Sequence, residues 1–108
     1  MASGGTTITL SRRYEAGGKS FEAITLREPR FADYMAIGEV QEWQPIAGVD
    51  KAAVLVEDTD KIRRYAERLI EGDALRLDLL ALIDALKVRR AILDFFAEAR
   101  APDGPPTT

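Results

Sequence analysis

Residues 24–34 read ITLREPRFADY, and within this stretch the spacing of apolar side chains changes from every second residue to the helical 3.6. Upstream of it the chain alternates. Ile8, Leu10, Arg12 and Tyr14 fall on one face and Thr7, Thr9, Ser11 and Arg13 on the other, the period of a half-buried strand. Glu15, Ala16, Gly17 and Gly18 supply a turn, because glycine takes positive φ without a Cβ clash. Residues 19–27 then return as the second strand of an antiparallel hairpin. Phe21 and Ile24 differ in parity, which calls for a bulge or a change of face between them. At Glu28 the pattern breaks. Pro29 has no N–H to lose and a φ already set for a first helical position, and Asp33 follows where the positive end of a helix dipole favours a carboxylate. Phe31, Tyr34, Met35 and Gly38 form one helical face with Ile37 and Val40 beside it, before Trp43 and Pro45 close the segment. So aromatic a face reads as core.

Residues 44–50 read as a loop punctuated by Pro45 and Gly48. AAVLVE, residues 52–57, is short, apolar and rich in β-branched side chains; it suits a third strand, and its length equally admits a helix. Asp58, Thr59 and Asp60 offer an N-cap, and Ile62, Tyr65, Ala66, Leu69 and Ile70 recur at helical spacing until Gly72. Arg63 with Glu67 and Asp60 with Arg64 are i,i+4 pairs on a solvated face. A short turn or helix around residues 75–82 leads into a longer helix ending at Arg100. The expected architecture is α+β: an N-terminal antiparallel β-hairpin, with AAVLVE as a candidate third strand, packed with three to four α-helices. Residues 1–5 and the proline-rich residues 101–108 read as flexible ends of a single domain spanning 6–100.

The last helix carries more large apolar residues than any other segment. At about 100° per residue, Leu82, Ala85, Leu86, Val88, Ile92, Leu93, Phe95, Phe96 and Ala99 share one arc of roughly 200°, with Asp84, Lys87, Arg90, Asp94 and Glu98 on the remainder. A surface helix needs an apolar stripe of only about 100°. Such a helix therefore has neighbours on two sides, either both within the domain or one of them on another chain. Arg89 lies inside the arc and cannot give up its charge, so it either snorkels out along its stem or meets a carboxylate. Val88, Arg89, Ile92, Phe95 and Phe96 are accordingly the candidate partner-binding residues, with Arg89 discriminating among partners through its fork of donors. Asp84, Lys87, Asp94 and Glu98 are expected on the wet side.

With 108 residues the chain fits one domain with one modest core. A net charge of -3 argues against a general nucleic-acid or anionic-membrane binder. No apolar run reaches the ~18 residues a membrane span requires. Cysteine and histidine are both absent, so the chain has no disulfide framework, and the usual nucleophile, base and zinc-ligand sets cannot be assembled. No phosphate loop, dinucleotide fingerprint or metal-binding spacing is present. The expectation is a non-enzymatic intracellular protein with no cofactor and no metal.

One ordered set of motifs stands out: Gly18-Lys19 in the hairpin, then Arg27, Pro29 and Asp33 in ITLREPRFADY, then Asp84 ahead of Phe95-Phe96 in LIDALKVRRAILDFF. Over roughly residues 8–97 the chain resembles the small tail assembly chaperones of phages, the group that includes the E and Mu types; AAVLVE and the charged helix after it depart from that pattern. The resemblance implies a phage or prophage protein acting in the host cytoplasm, which coats the helices of the tape-measure protein until tail-tube subunits displace it. It also implies the shorter product of a frameshifted pair. An alternative use of the same helix is in a small oligomeric structural or adaptor protein, through self-association or an unrelated partner.

Overall fold

The computed structural model describes residues 4–101. The alternating N-terminal segment forms β1 (Thr6–Ala16) and β2 (Lys19–Leu26), paired antiparallel with Ile8 opposite Ile24 and Tyr14 opposite Phe21. Gly17 and Gly18 both take positive φ, 59° and 81°, the requirement of a two-residue turn that matches the twist of its strands. Register shifts between Thr9 and Tyr14. The irregularity therefore occurs where the parity of Phe21 and Ile24 requires it, with the extra residues supplied by β1. Phe21 and Ile24 are both buried as a result.

Helix α1 (Phe31–Ile37) begins two residues after Pro29, so the proline precedes the first turn. Asp33 takes the backbone N–H of Arg30 at 2.7 Å. It also receives both terminal nitrogens of Arg27, at 2.8 and 2.9 Å, and Nε of Arg68 at 2.5 Å. A carboxylate that is 1% exposed thus ties the end of β2 and the next helix to α1. The Arg27 fork, opposed by burial and helped by Arg30 and Arg68, holds its pKa far below the usual carboxylate range. With Asp33 and Ile37 turned inward, the opposite face must point out. Phe31, Tyr34 and Met35, expected in the core, are exposed, Phe31 at 78%.

Gly38 ends the helix at φ 94°, a left-handed conformation that disfavours any side chain. The chain continues as β3 (Gln41–Pro45), which pairs antiparallel with β4 (Ala53–Glu57). Trp43 and Pro45 belong to a strand and do not close a helix. AAVLVE is a strand, but in a second sheet rather than the first. The place beside β2 is taken instead by the chain leaving α2 (Thr59–Leu69), where Arg27 N–H donates to Leu69 O at 2.9 Å and Glu71 N–H to Thr25 O at 2.8 Å. Helix α2 is capped by Asp58, whose side chain accepts from Lys61 N–H at 3.1 Å. It buries Ile62, Tyr65, Ala66 and Leu69, the spacing its sequence predicts.

A 3₁₀ segment (Ala74–Leu79) leads into α3 (Leu82–Arg100). Asp84, expected on the wet side of this helix, is fully buried. Its carboxylate accepts Ser11 N–H and Ser11 Oγ, both at 2.8 Å, and the Tyr14 hydroxyl at 2.5 Å. Tyr14 Oη in turn accepts the N–H of Ala81 at 3.0 Å. Ser11 lies within the bulged stretch of β1, where the ladder is interrupted and a backbone N–H is left for another acceptor. The core closes above this clamp, with Ile8, Leu10, Ile24 and Leu26 of the sheet and Ile62, Tyr65, Leu69, Val88 and Ile92 of the helices. Of the terminus expected to fray, Gly4 rests against Glu28, and residues 1–3 and 102–108 lie outside the described residues.

Burial alone would raise the Asp84 carboxyl, but hydrogen bonds from Tyr14 and Ser11 outweigh it and bring its pKa down to about 2 from an ordinary 3.8. Asp33 shifts in the same direction. A folded-state pKa below the unfolded value stabilises the fold fully above about pH 4 and loses that contribution as pH falls through about 2. Thermal melts across this window should show stability falling from pH 4 towards pH 2 in the native chain and a flatter profile in Asp84→Asn. Asp33→Ala, which leaves two guanidiniums unpaired near the surface, should lose about 2–3 kcal/mol in urea denaturation, whereas Asp94→Ala should change stability by no more than about 0.5 kcal/mol.

Candidate protein-binding surface

The wide arc of α3 is used on one side only. Val88 and Ile92 point into the core, Ile92 at 0% exposure. Neither can face a partner as expected from the sequence, because the Asp84 clamp turns this side of the helix to the sheet. Phe95 and Phe96 are half-buried against the core. Phe96 meets the Tyr65 ring edge-on, with centroids 5.3 Å apart. Both phenylalanines also line an open groove of about 520 Å³, shared with Pro29, Phe31, Tyr34 and Ala99.

Arg89 takes the second of the two routes open to it. Its Nε donates to Glu57 Oε2 at 2.7 Å and its Nη2 to Glu57 Oε1 at 2.6 Å, a two-point match of fork to carboxylate. Hydrogen bonding from Arg89, against opposing burial, lowers the Glu57 pKa. The guanidinium expected to discriminate among partners is therefore satisfied within its own chain. Its role is to tie the base of the β3–β4 arm to α3.

On either side of that ion pair the apolar surface is open. Leu82 and Leu86 lie within about 60° of Arg89 around the helix, and they are 73% and 50% exposed. On the arm, Trp43 stands opposite Leu55 and Gln41 opposite Glu57. By strand alternation Trp43 and Leu55 share the face from which Glu57 reaches α3. Both are exposed, Trp43 at 69%, and Val54 and Val56 on the other face are exposed as well. The Arg89–Glu57 pair thus sits at the junction of two apolar surfaces, one helical and one stranded, and Leu75, Leu79 and Ile83 extend the exposed apolar character at the helix start. Isolated apolar residues on a surface are ordinary. A set of this size on a small protein makes this face a candidate binding surface.

Asp33, Asp84, Glu39 and Glu57 all have pKa values shifted downward, away from the range in which a carboxylic acid serves as general acid or base. Among the described residues no group of three or more His, Cys, Asp and Glu side chains could hold a metal ion, and no helix is long and apolar enough to cross a membrane. Comparison with family models, curated proteins and solved structures gives no match to the chain.

Sequence reasoning missed Trp43, Leu55, Leu82 and Leu86 as surface residues. One signal was available for the arm: in AVLVE both parities are apolar, so a two-stranded ribbon must leave one face uncovered. The ion pair at its base generates a prediction. Glu57→Ala should accelerate amide exchange across residues 41–57 while changing global stability by no more than about 1 kcal/mol, since the Arg89 side chain is 38% exposed. Uniform acceleration throughout the protein would show that the pair supports the core rather than the arm.

Proposed function

We propose that this protein does no chemistry and acts as a phage or prophage tail assembly chaperone, holding apolar helices of the tape-measure protein in the host cytoplasm until tail-tube subunits take them over. The observation that carries this reading is the uncovered half of the α3 arc, where Leu82 and Leu86 face water on the side of the helix that carries Arg89, with Trp43 and Leu55 exposed on the arm that Arg89 holds. An amphipathic helix binds by laying its apolar stripe into such a surface, with anchors one turn apart. Leu82 and Leu86 have that spacing on the chaperone's side. The groove at Phe31, Phe95 and Phe96 offers a second apolar footing for a long client. Support also comes from the resemblance in sequence and from a chain without histidine or cysteine.

Because both leucines are exposed, Leu82→Asp with Leu86→Asp should leave the fold and its melting temperature close to native. At about 1.5–3 kcal/mol for each leucine buried on binding, the double variant should weaken binding of tape-measure helical peptides by more than ~100-fold in calorimetric titration. Ile92→Asp should instead unfold the chain, because it places a carboxylate in the core. Unchanged affinity in the folded double variant, or a native protein that fails to keep tape-measure segments in solution, would sink the proposal.

A further inference from the structure

β4 presents a bare edge. The two ends of the arm fix which of its residues face outward: Asp58 N–H donates to Val40 O at 2.8 Å, and Ile46 N–H donates to Ala52 O at 3.0 Å. Antiparallel ladders alternate, so with Trp43 opposite Leu55 the bonds inside the arm belong to Glu42 with Val56 and Gln44 with Val54. The N–H and C=O groups of Ala53, Leu55 and Glu57 therefore point away from β3. Among the described residues, no backbone hydrogen bond joins these three to another element.

The two edges of the arm are not equivalent. On β3, Pro45 occupies an outward position and has no N–H to offer, and Glu42 places a charge in mid-strand; both are features that discourage edge pairing. β4 has neither. From Ala53 to Val56 it carries no charge and no proline, and three of its residues are Val, Leu and Val, a composition that favours pairing. A lone two-stranded hairpin is marginal in water, whereas three or more strands with an apolar face can persist.

We infer that β4 pairs antiparallel with β4 of a second copy of this chain, about a two-fold axis at Leu55, to give a four-stranded sheet in the order β3-β4-β4-β3. The occupant is specified by self-complementarity. With the axis at Leu55, every residue of Ala53–Glu57 has a partner, and any other register leaves ends unpaired. Glu57 then lies opposite the second copy's Ala53, so the two carboxylates are kept apart. The only charge within the ladder is then Glu57, which meets the uncharged Ala53 at each end. This pairing is independent of the client, since it uses the edge of the arm and leaves Leu82 and Leu86 uncovered.

Sedimentation of the full-length chain should show a concentration-dependent dimer. Leu55→Pro removes an outward donor without breaking a bond inside the arm, so it should raise the dimer dissociation constant at least ~10-fold with an unchanged circular dichroism spectrum. Because the chain has no cysteine, Leu55→Cys provides a readout that does not depend on the proline variant folding. Facing residues of an antiparallel hydrogen-bonded pair have Cα atoms about 5.5 Å apart, within disulfide reach. Mild oxidation should therefore link Leu55→Cys to itself and leave Trp43→Cys unlinked. A native chain that is monomeric up to millimolar concentration, a dimer that persists in folded Leu55→Pro, or equal linking of the two cysteine variants would overturn the inference. The first outcome would assign the edge to an extended segment of another protein, and the second would assign the dimer to another face.

Discussion

Asp84 determines how the largest helix sits. Rotating α3 by about 120° would bring Leu82 and Leu86 inward and take Val88 and Ile92 outward, an exchange of two large aliphatic residues for two others. On apolar area that exchange is close to neutral. It is not neutral for the carboxylate. In the observed orientation Asp84 receives Ser11 N–H, Ser11 Oγ and the Tyr14 hydroxyl; in the rotated one these donors would be buried without their acceptor, at the full cost of desolvation. The polar cluster selects between two packings that hydrophobicity alone leaves nearly degenerate.

The clamp also explains the shape of β1. A regular strand would spend the N–H of Ser11 on β2 or turn it to solvent, whereas the bulge between Thr9 and Tyr14 aims it at α3. Asp33 does the corresponding work at the other end of the domain, drawing Arg27, just after β2, and Arg68 of α2 onto the first turn of α1. Lys87 reinforces the first clamp, donating from Nζ to Thr9 O at 3.0 Å. Helix docking in this small domain therefore rests, among the described residues, on two buried carboxylates as well as on thirteen buried hydrophobic residues. Hydrogen bonds of this kind fix direction, which apolar contact does not.

Periodicity made much of this fold legible. The N-terminal hairpin, the capped helix from Thr59 and the long helix ending at Arg100 were all readable from spacing, because each buries one face at a regular interval. The failures have a common origin. Summing angles around a helix treats every carboxylate as solvent-facing, and nothing local distinguishes Asp84 from Asp94. What buries Asp84 is Ser11, 73 residues away. The helix at Phe31 was read from its aromatic residues, although Asp33 and Ile37 set the buried side. The strand QEWQP has little strand character of its own, since Gln, Glu and Pro are poor strand formers. It forms because AVLVE pairs with it. Of the candidate site residues, Phe95 and Phe96 line a groove while Val88 and Ile92 face the core; the half of the arc that faces water could not be known before the rotation was.

Fixing α3 by a polar cluster has a consequence for what the surface can do. A small chain that oriented its helices by hydrophobicity alone would turn its most apolar stripe inward and keep little to offer a partner. Here the rotation is held by hydrogen bonds, so Leu82 and Leu86 can stay outside without the helix rolling over to bury them. The Arg89–Glu57 pair extends the same logic to the arm, holding its base to α3 while Trp43, Leu55 and their neighbours remain uncovered. Polar interactions inside the domain and at the base of the arm are thus what allow apolar residues to remain available on its surface. A partner docking on these residues, as proposed, would meet a surface already in place, and little of the apolar contact energy would be spent on reorganising the protein that supplies it.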